Sequence, residues 1–360
     1  MPVSFDVRGW RFDASGRMLT LAYRLEHPEL GVHDLQGRIE LPVAVAVTPV
    51  IDRLASLLAV AAGVSYCKAV APERISFGDG IALDPAGTAA MAALYDEGLR
   101  EFSYGNGLAL PRPIALPAPS APVAASPGPS PLLLAIGDNP YAPRVAAATG
   151  LQLVVARRSI DQGLLDLNAA GAMNGHVPVT AINSLISILI AVATGCSSVV
   201  MANERSASQP TRVVDGVEIN HQYSKSFAFE RLLREALVPI GVTYYSALRP
   251  WGELPIAAAF ARCEAALQHA FMSCNRAFIR DPSARSDGWC GNCAKCRSVF
   301  LSLAPFMSPD ALSGVFGRDL LADDAQLPGF LELVDPAAKQ NDPRIQAAEE
   351  LVDIIHSYLT

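Results

Sequence analysis

A basic excess is what this 360-residue chain lacks most plainly: 28 lysines and arginines stand against 35 acidic residues, a net charge of −7 with histidines neutral. General binders of nucleic acid or of anionic membranes carry the opposite balance, so neither partner is expected. Also missing is an unbroken apolar run long enough to span a bilayer. The most apolar stretch, 177–202, is interrupted by Asn183, Ser184, Ser187, Thr194, Gly195, Ser197 and Ser198, whereas a spanning helix needs about 20 mostly apolar residues. It reads as a buried helix followed by a buried strand, without membrane insertion. The start, MPVSFDVRGWRFD, alternates and has no basic stretch ahead of an apolar one, so no secretory leader is expected. Charged residues are scarce, 18% against 51% hydrophobic, which excludes wholesale disorder and leaves material for a large core. Length alone suggests two domains. Seven cysteines without a leader read as reduced thiols or metal ligands rather than disulfides, and the protein is expected to be cytoplasmic.

One segment punctuates the chain. Residues 111–131, PRPIALPAPSAPVAASPGPSP, hold eight prolines and no acid. Proline removes a backbone donor and fixes φ, so this run is neither a central strand nor a helix interior, and reads as an extended linker. Residues 1–110 are then an N-terminal α+β domain. Val3, Phe5 and Val7, then Leu19, Leu21, Tyr23 and Leu25, then Ile39, Leu41 and Val43 alternate with polar positions, the period of a small antiparallel sheet with a hairpin at Asp13–Gly16. A helix over 50–62 follows Thr48 as N-cap and Pro49, and a second runs over 86–102; substrate docking or a structural role suits this part equally. From Leu132 to residue 360 the rhythm becomes strand–helix: apolar runs at 132–136, 151–156 and 196–202 alternate with helical patterns at 142–149, 164–172 and 179–192. That order predicts an α/β domain with a parallel sheet covered on both faces, whose ligands sit beyond the carboxyl ends of the strands. From Ala338 a polar segment and an amphipathic helix close the chain.

Cys290-Gly-Asn-Cys293-Ala-Lys-Cys296, with Cys274 sixteen positions earlier, matches a tetrahedral zinc site, because two-residue gaps let a tight turn aim successive sulfurs at one ion. With four thiolates no ligand position stays open, so the metal would be structural; Lys295 and Arg297 would offset the charge. Thiolates alone do not fix the metal, and an iron–sulfur cluster is the alternative. Cys67, Cys196 and Cys263 read as buried thiols. A second cluster, Asn174-Gly-His176-Val-Pro-Val-Thr180-Ala-Ile-Asn183, places a histidine at a helix start, where free N–H groups favour anions. A third, Asn220-His221-Gln-Tyr223-Ser224-Lys225-Ser226, is costly to bury without a ligand or partner. It otherwise reads as a solvated loop capping the next helix through Ser224 or Ser226.

NAAGAMNGHVPVTAINS, MANERSAS, EINHQYSKSFAFE and CGNCAKCR, in that order, with GVSYCKAVAP and EFSYGNGL earlier, closely resemble the family of UDP-N-acetylmuramoyl-L-alanyl-L-glutamate epimerases (MurL). The likeness covers most of the chain. The cysteine cluster also resembles the zinc knuckle of the 7-cyano-7-deazaguanine synthases, another ATP-pyrophosphatase branch. The resemblance implies a PP-loop-like (adenine-nucleotide alpha-hydrolase-like) second domain. It implies an isomerase of peptidoglycan-precursor synthesis, serving cell-wall biogenesis and cell shape, that turns the terminal L-Glu of UDP-MurNAc-L-Ala-L-Glu into D-Glu through an acyl-adenylate, with ATP, Mg2+ and a structural Zn2+. Neutralising the carboxylate makes the adjacent Cα–H acidic enough to remove. On this resemblance His176, His221, Tyr223 and Lys225 contact phosphate or transfer protons. Asn174, Gly175, Thr180, Asn183 and Ser224 contact the nucleotide, and Asn203, Glu204, Arg205 and Ser206 line the strand-end crevice. Glu204 there suits magnesium and Arg205 suits phosphate. The SGGxDS-like glycine-rich loop of ATP-pyrophosphatases is absent. The alternative is an inactive relative that binds the precursor or a partner enzyme.

Overall fold

The structure, a computed structural model, describes residues 3–70, 72–106, 130–171, 177–210, 212–279 and 281–334. Most of the expected linker, the loop carrying Asn174, Gly175 and His176, and the expected C-terminal helix lie outside the described residues. The chain forms two compact units, one of Met1–Asp138 and Val154–Ala247, the other of Asn139–Leu153 and Leu248–Thr360.

In the first unit the alternating segments form β1 (Ser4–Phe12), β2 (Met18–His27) and β3 (Gly31–Glu40), an antiparallel meander. Asp13 closes the first turn by accepting from the N–H groups of Arg17 and Met18. Phe5, Val7, Leu19, Leu21, Tyr23 and Leu25 are buried on one face, where α1 (Pro49–Val70) packs. Thr48 caps α1 through Ile51 N–H at 3.3 Å. The helix expected to end near Ala62 continues for two more turns, because Gly63 serves a close approach: a Cβ there would meet the Tyr95 hydroxyl at 2.6 Å. Tyr23 and Tyr95 donate to the Ala59 and Val60 carbonyls at 3.0 and 2.8 Å. The segment Pro49–Cys67 is long and apolar enough to cross a membrane, yet 83% of its apolar window is buried inside the protein, as befits a core helix. Each leucine so buried contributes about 1.5–3 kcal/mol.

β4 (Arg74–Phe77) adds to β1 in parallel, and α2 (Pro85–Asn106) packs on α1. β5 (Leu132–Ile136) follows, and after α3 (Ala142–Thr149) comes β6 (Gln152–Ser159). Here the expectation needs correction. β6 pairs antiparallel with β3, Ile39 opposite Arg158, and the sheet runs β4-β1-β2-β3-β6-β5. The strands after Leu132 thus extend the N-terminal sheet, and the doubly covered parallel sheet is not formed among the described residues. An apolar run specifies a strand but not its partner; the free edge of β3 takes up β6. Asp161 fastens this junction, accepting from Gln36 N–H at 2.8 Å while capping α4 (Gln162–Ala169).

α5 (Val179–Thr194) buries its middle, nine of its sixteen residues from Ala181 to Ala191. β7 (Ser198–Met201) pairs in parallel with β10 (Thr243–Ser246); the buried strand expected here is half-exposed, with Val200 at 54%. Between them lie β8 (Arg212–Val214) and β9 (Val217–Ile219), a hairpin through Asp215-Gly216, both at positive φ as such turns require. α6 (Phe227–Leu237) matches its amphipathic pattern residue for residue. Its cap is Ser226, whose Oγ accepts from Phe229 N–H at 3.1 Å. Ser226→Ala is expected to lower stability by about 1 kcal/mol, read as an earlier denaturation midpoint.

The second unit is helical: α3 joins α7 (Glu253–Phe260), α8 (Ala265–Ala270), α9 (Ala294–Leu303), α10 (Pro309–Phe316) and α11 (Leu327–Val334). A chain of rings, Phe260, Phe271, Trp289, Phe316 and Phe300, runs through it with centroids 4.5–5.1 Å apart. Cys274 and Cys296 belong to the same core.

Candidate active site and metal centre

Polar segments far apart in sequence meet in the first unit. Tyr223, Ser224 and Lys225 form one 3-10 turn, and this turn packs against α2, α5, α6 and a second 3-10 turn, Ser206–Ser208. Asn220 fixes the approach: its Nδ2 donates to the Ala207 carbonyl at 3.0 Å and its Oδ1 accepts from Gln222 N–H at 2.8 Å. Phe227 N–H donates to Ser208 Oγ, and Lys225 Nζ to Gln222 Oε1 at 2.8 Å. His221, Tyr223, Ser224 and Lys225 are all half-buried. Thr180 and Asn183 occupy the first turns of α5 with their carbonyls tied to Ser184 and Ser187 hydroxyls.

Beyond the ends of the parallel pair, Asn203 is buried and donates to Ser246 Oγ at 3.0 Å. Ser246 N–H donates to Glu230 Oε1. Glu230, only 3% exposed, therefore ties the strand ends to the start of α6. Glu204 is half-buried, Arg205 is exposed and Ser206 opens the 3-10 turn. The structure thus packs the Ser206–Ser208 turn and α5, which carries Thr180 and Asn183, against the turn of residues 223–225, with Asn203 held at the end of the parallel pair and Asn174, Gly175 and His176 outside the described residues.

Three charges on α2 were not singled out from the sequence. Asp96, Glu97 and Arg100 stand beside Tyr223. Burial raises both carboxyls, opposed by the Arg100 charge, and Arg100 Nη1 reaches Glu97 Oε1 at 2.6 Å. Burial, with Glu97 adding to it, pushes the Tyr223 phenol up to about 12, and its ring rests edge-on against Phe229. Tyr223 is therefore a hydrogen-bond donor at neutral pH. The signal available was the charge group 96–101 with its i,i+3 pair. Glu230 could not be found in this way, since an acid in a first helical turn reads as exposed.

In the second unit the four predicted cysteines converge, their sulfurs all within 4.8 Å of one another. Cys274–Cys293, Cys290–Cys296 and Cys293–Cys296 sulfur distances are 4.0, 3.7 and 3.5 Å. Four sulfurs at about 2.3 Å from one tetrahedral ion lie about 3.8 Å apart, so the donor set fits a single ion. Gly291 makes the knuckle turn at positive φ. Arg318 donates to the Gly291 carbonyl of the knuckle at 3.2 Å, and Arg297 bonds Asn292 of the knuckle as well as Gln326. Burial raises the Cys290 and Cys296 thiols, whereas Cys274 falls to about 6 despite burial, through hydrogen bonds from Cys290 and Ser286. Of the other cysteines only Cys67 is fully buried; Cys196 and Cys263 are half-buried.

The MurL N-terminal domain profile matches residues 2–132 and 126–247, and the MurL C-terminal domain profile matches residues 270–343. A UDP-N-acetyl-alpha-D-muramoyl-L-alanyl-L-glutamate epimerase of Salinispora tropica is 41% identical over 92% of this chain and 79% of its own. Proteins of the same name from Micromonospora sp. and Xanthomonas oryzae pv. oryzae are 42% identical over 81% and 72% of the two chains, and 35% over 90% and 78%. No solved structure matches the chain.

Proposed function

Because the chain belongs to the MurL family, we propose that it is the isomerase those relatives are named for, inverting Cα of the terminal glutamate of UDP-MurNAc-L-Ala-L-Glu in peptidoglycan-precursor synthesis. The observation that supports this reading is the turn Tyr223–Lys225, against which α2, α5, α6 and the Ser206–Ser208 turn all pack.

The chemical difficulty is a Cα–H next to a carboxylate, whose charge opposes a second one. ATP, when bound with Mg2+, supplies the neutralisation of that carboxylate by adenylation. The donor set suits it in charge: Arg205 and Lys225 for phosphates, and the Glu204 oxygens for magnesium. Asn174, Gly175, Thr180, Asn183, Asn203, Ser206 and Ser224 are assigned to contacts with the nucleotide. The parallel β7–β10 pair, with Asn203 and Ser246 at its carboxyl ends, supports a PP-loop-like ancestry, in which ligands bind at such ends. Proton movement falls to His176, His221 and Lys225, while Tyr223 donates a hydrogen bond to a developing enolate oxygen. Zinc suits the four-sulfur site, a closed and structural one. Free thiols and a nucleotide-linked substrate accord with the cytoplasm.

Incubation with UDP-MurNAc-L-Ala-L-Glu, ATP and magnesium is expected to yield D-glutamate after hydrolysis, with AMP released. Recovery of L-glutamate alone would overturn the reading.

A further inference from the structure

A cavity of about 450 Å3 opens on the first unit's sheet, lined by Arg8, Trp10, Arg11, Ala22 and Gln36 among others. Its origin is a bulge. β1 slips register between Val7 and Gly9, so that Trp10 and Phe12, not Gly9 and Arg11, lie opposite buried Leu21 and Leu19. The slip turns Arg11 to the outer face and frees Arg8 from the ladder, as bulges do. Gly9, Ala22 and Gln36 then form one cross-strand row, with Arg11 and Thr20 in the next. Gly9 sits at φ +142°, and a Cβ there would meet nothing within 4 Å, so the floor of the cavity is open.

The lining has a definite chemistry. Arg11 makes no ion pair among the described residues, and Arg8 only a loose one, 3.9 Å from Asp6; the lining holds two guanidiniums and one carboxylate, Asp52. Paired guanidiniums suit phosphate oxygens. The Trp10 indole N–H donates to Ser56 Oγ of α1, so this ring packs on the core side of the sheet, and the polar lining is left to the arginines, Thr20 and Gln36. Gln36 offers an amide, donor and acceptor together. The volume lies in the range of small-molecule sites.

We propose that this cavity is a subsite for the diphosphate of a nucleotide, and that its occupant is the uridine diphosphate end of the substrate. The assignment rests on the epimerase reading, since that substrate carries its diphosphate and its reacting glutamate at opposite ends.

Calorimetry with UDP and with ATP–magnesium distinguishes the two nucleotide sources, using wild type, R8A/R11A and A22F, which fills the floor without touching charge. Losing charge-assisted contacts costs about tenfold or more. UDP affinity is expected to fall by that factor in R8A/R11A through lost charge and, in A22F, by about as much through lost space, and KM for UDP-MurNAc-L-Ala-L-Glu to rise alike, while ATP binding holds. Wild type that fails to bind UDP, or variants that bind it normally, would overturn the subsite. Loss of ATP binding in place of UDP binding would overturn its occupant. A protein that binds UDP in this way yet leaves glutamate unchanged would refute the epimerase reading and not the subsite.

Discussion

Cys293→Ser is expected to take bound zinc from about one ion per chain to near none, measured by elemental analysis, and to unfold the second unit at far lower temperature. Structural zinc contributes on the order of 10 kcal/mol to zinc-finger peptides that have little else. This unit also has the ring chain from Phe260 to Phe300, so several kcal/mol is the expected loss. Serine nearly matches cysteine in shape, so the effect reports the metal rather than packing. Cys196→Ser, half-buried and outside the cluster, serves as the control and should keep its zinc. A variant retaining one ion and melting with the wild type would make the knuckle incidental.

Asp84→Ala should be the most damaging single change in the first unit. Asp84 and Arg53 are each 7% exposed and form an ion pair, and Arg53 also donates to the Ala236 carbonyl at 2.6 Å. Its Nε and Nη1 are buried without hydrogen-bond partners, so the carboxylate is the main compensation for that charge. Breaking a buried pair by removing one partner costs about 3–5 kcal/mol. The same carboxylate caps α2 through Gly87 N–H at 2.7 Å, adding about 1 kcal/mol. R53M/D84L, which removes both charges and fills the space, should recover most of the loss. Denaturant unfolding decides: an Asp84→Ala loss below about 1 kcal/mol would mean the pair is not buried in solution.

Local pattern was legible where it was self-contained. Ser226 and the spacing of Phe229, Leu233, Ala236 and Leu237 write α6 and its cap into the sequence, and the gaps between Cys290, Cys293 and Cys296 write the knuckle. The partner of β6 was not legible, because Leu132–Ile136 and Gln152–Ser159 look the same whether they pair with each other's neighbours or with β3. Of the site, residues 203–206 and 220–226 announced themselves as polar residues beside apolar runs. Glu97 and Arg100 did not, being charges on a helix whose far side is core. Arg318 was invisible too, since nothing near it in sequence points to Gly291, 27 residues away.

The pairing of β3 with β6 has a consequence for synthesis. While the chain emerges from the ribosome, β3 shows a bare edge until Ser159 has been made, and a bare edge is a template for a neighbouring nascent chain. A fragment truncated before β6 would keep that adhesive border for good. In the whole chain, the proline run falls inside the loop that this pairing closes. Because closure entropy grows only with the logarithm of loop length, doubling the loop costs about 0.6 kcal/mol. Insertions and deletions there should hardly disturb the sheet.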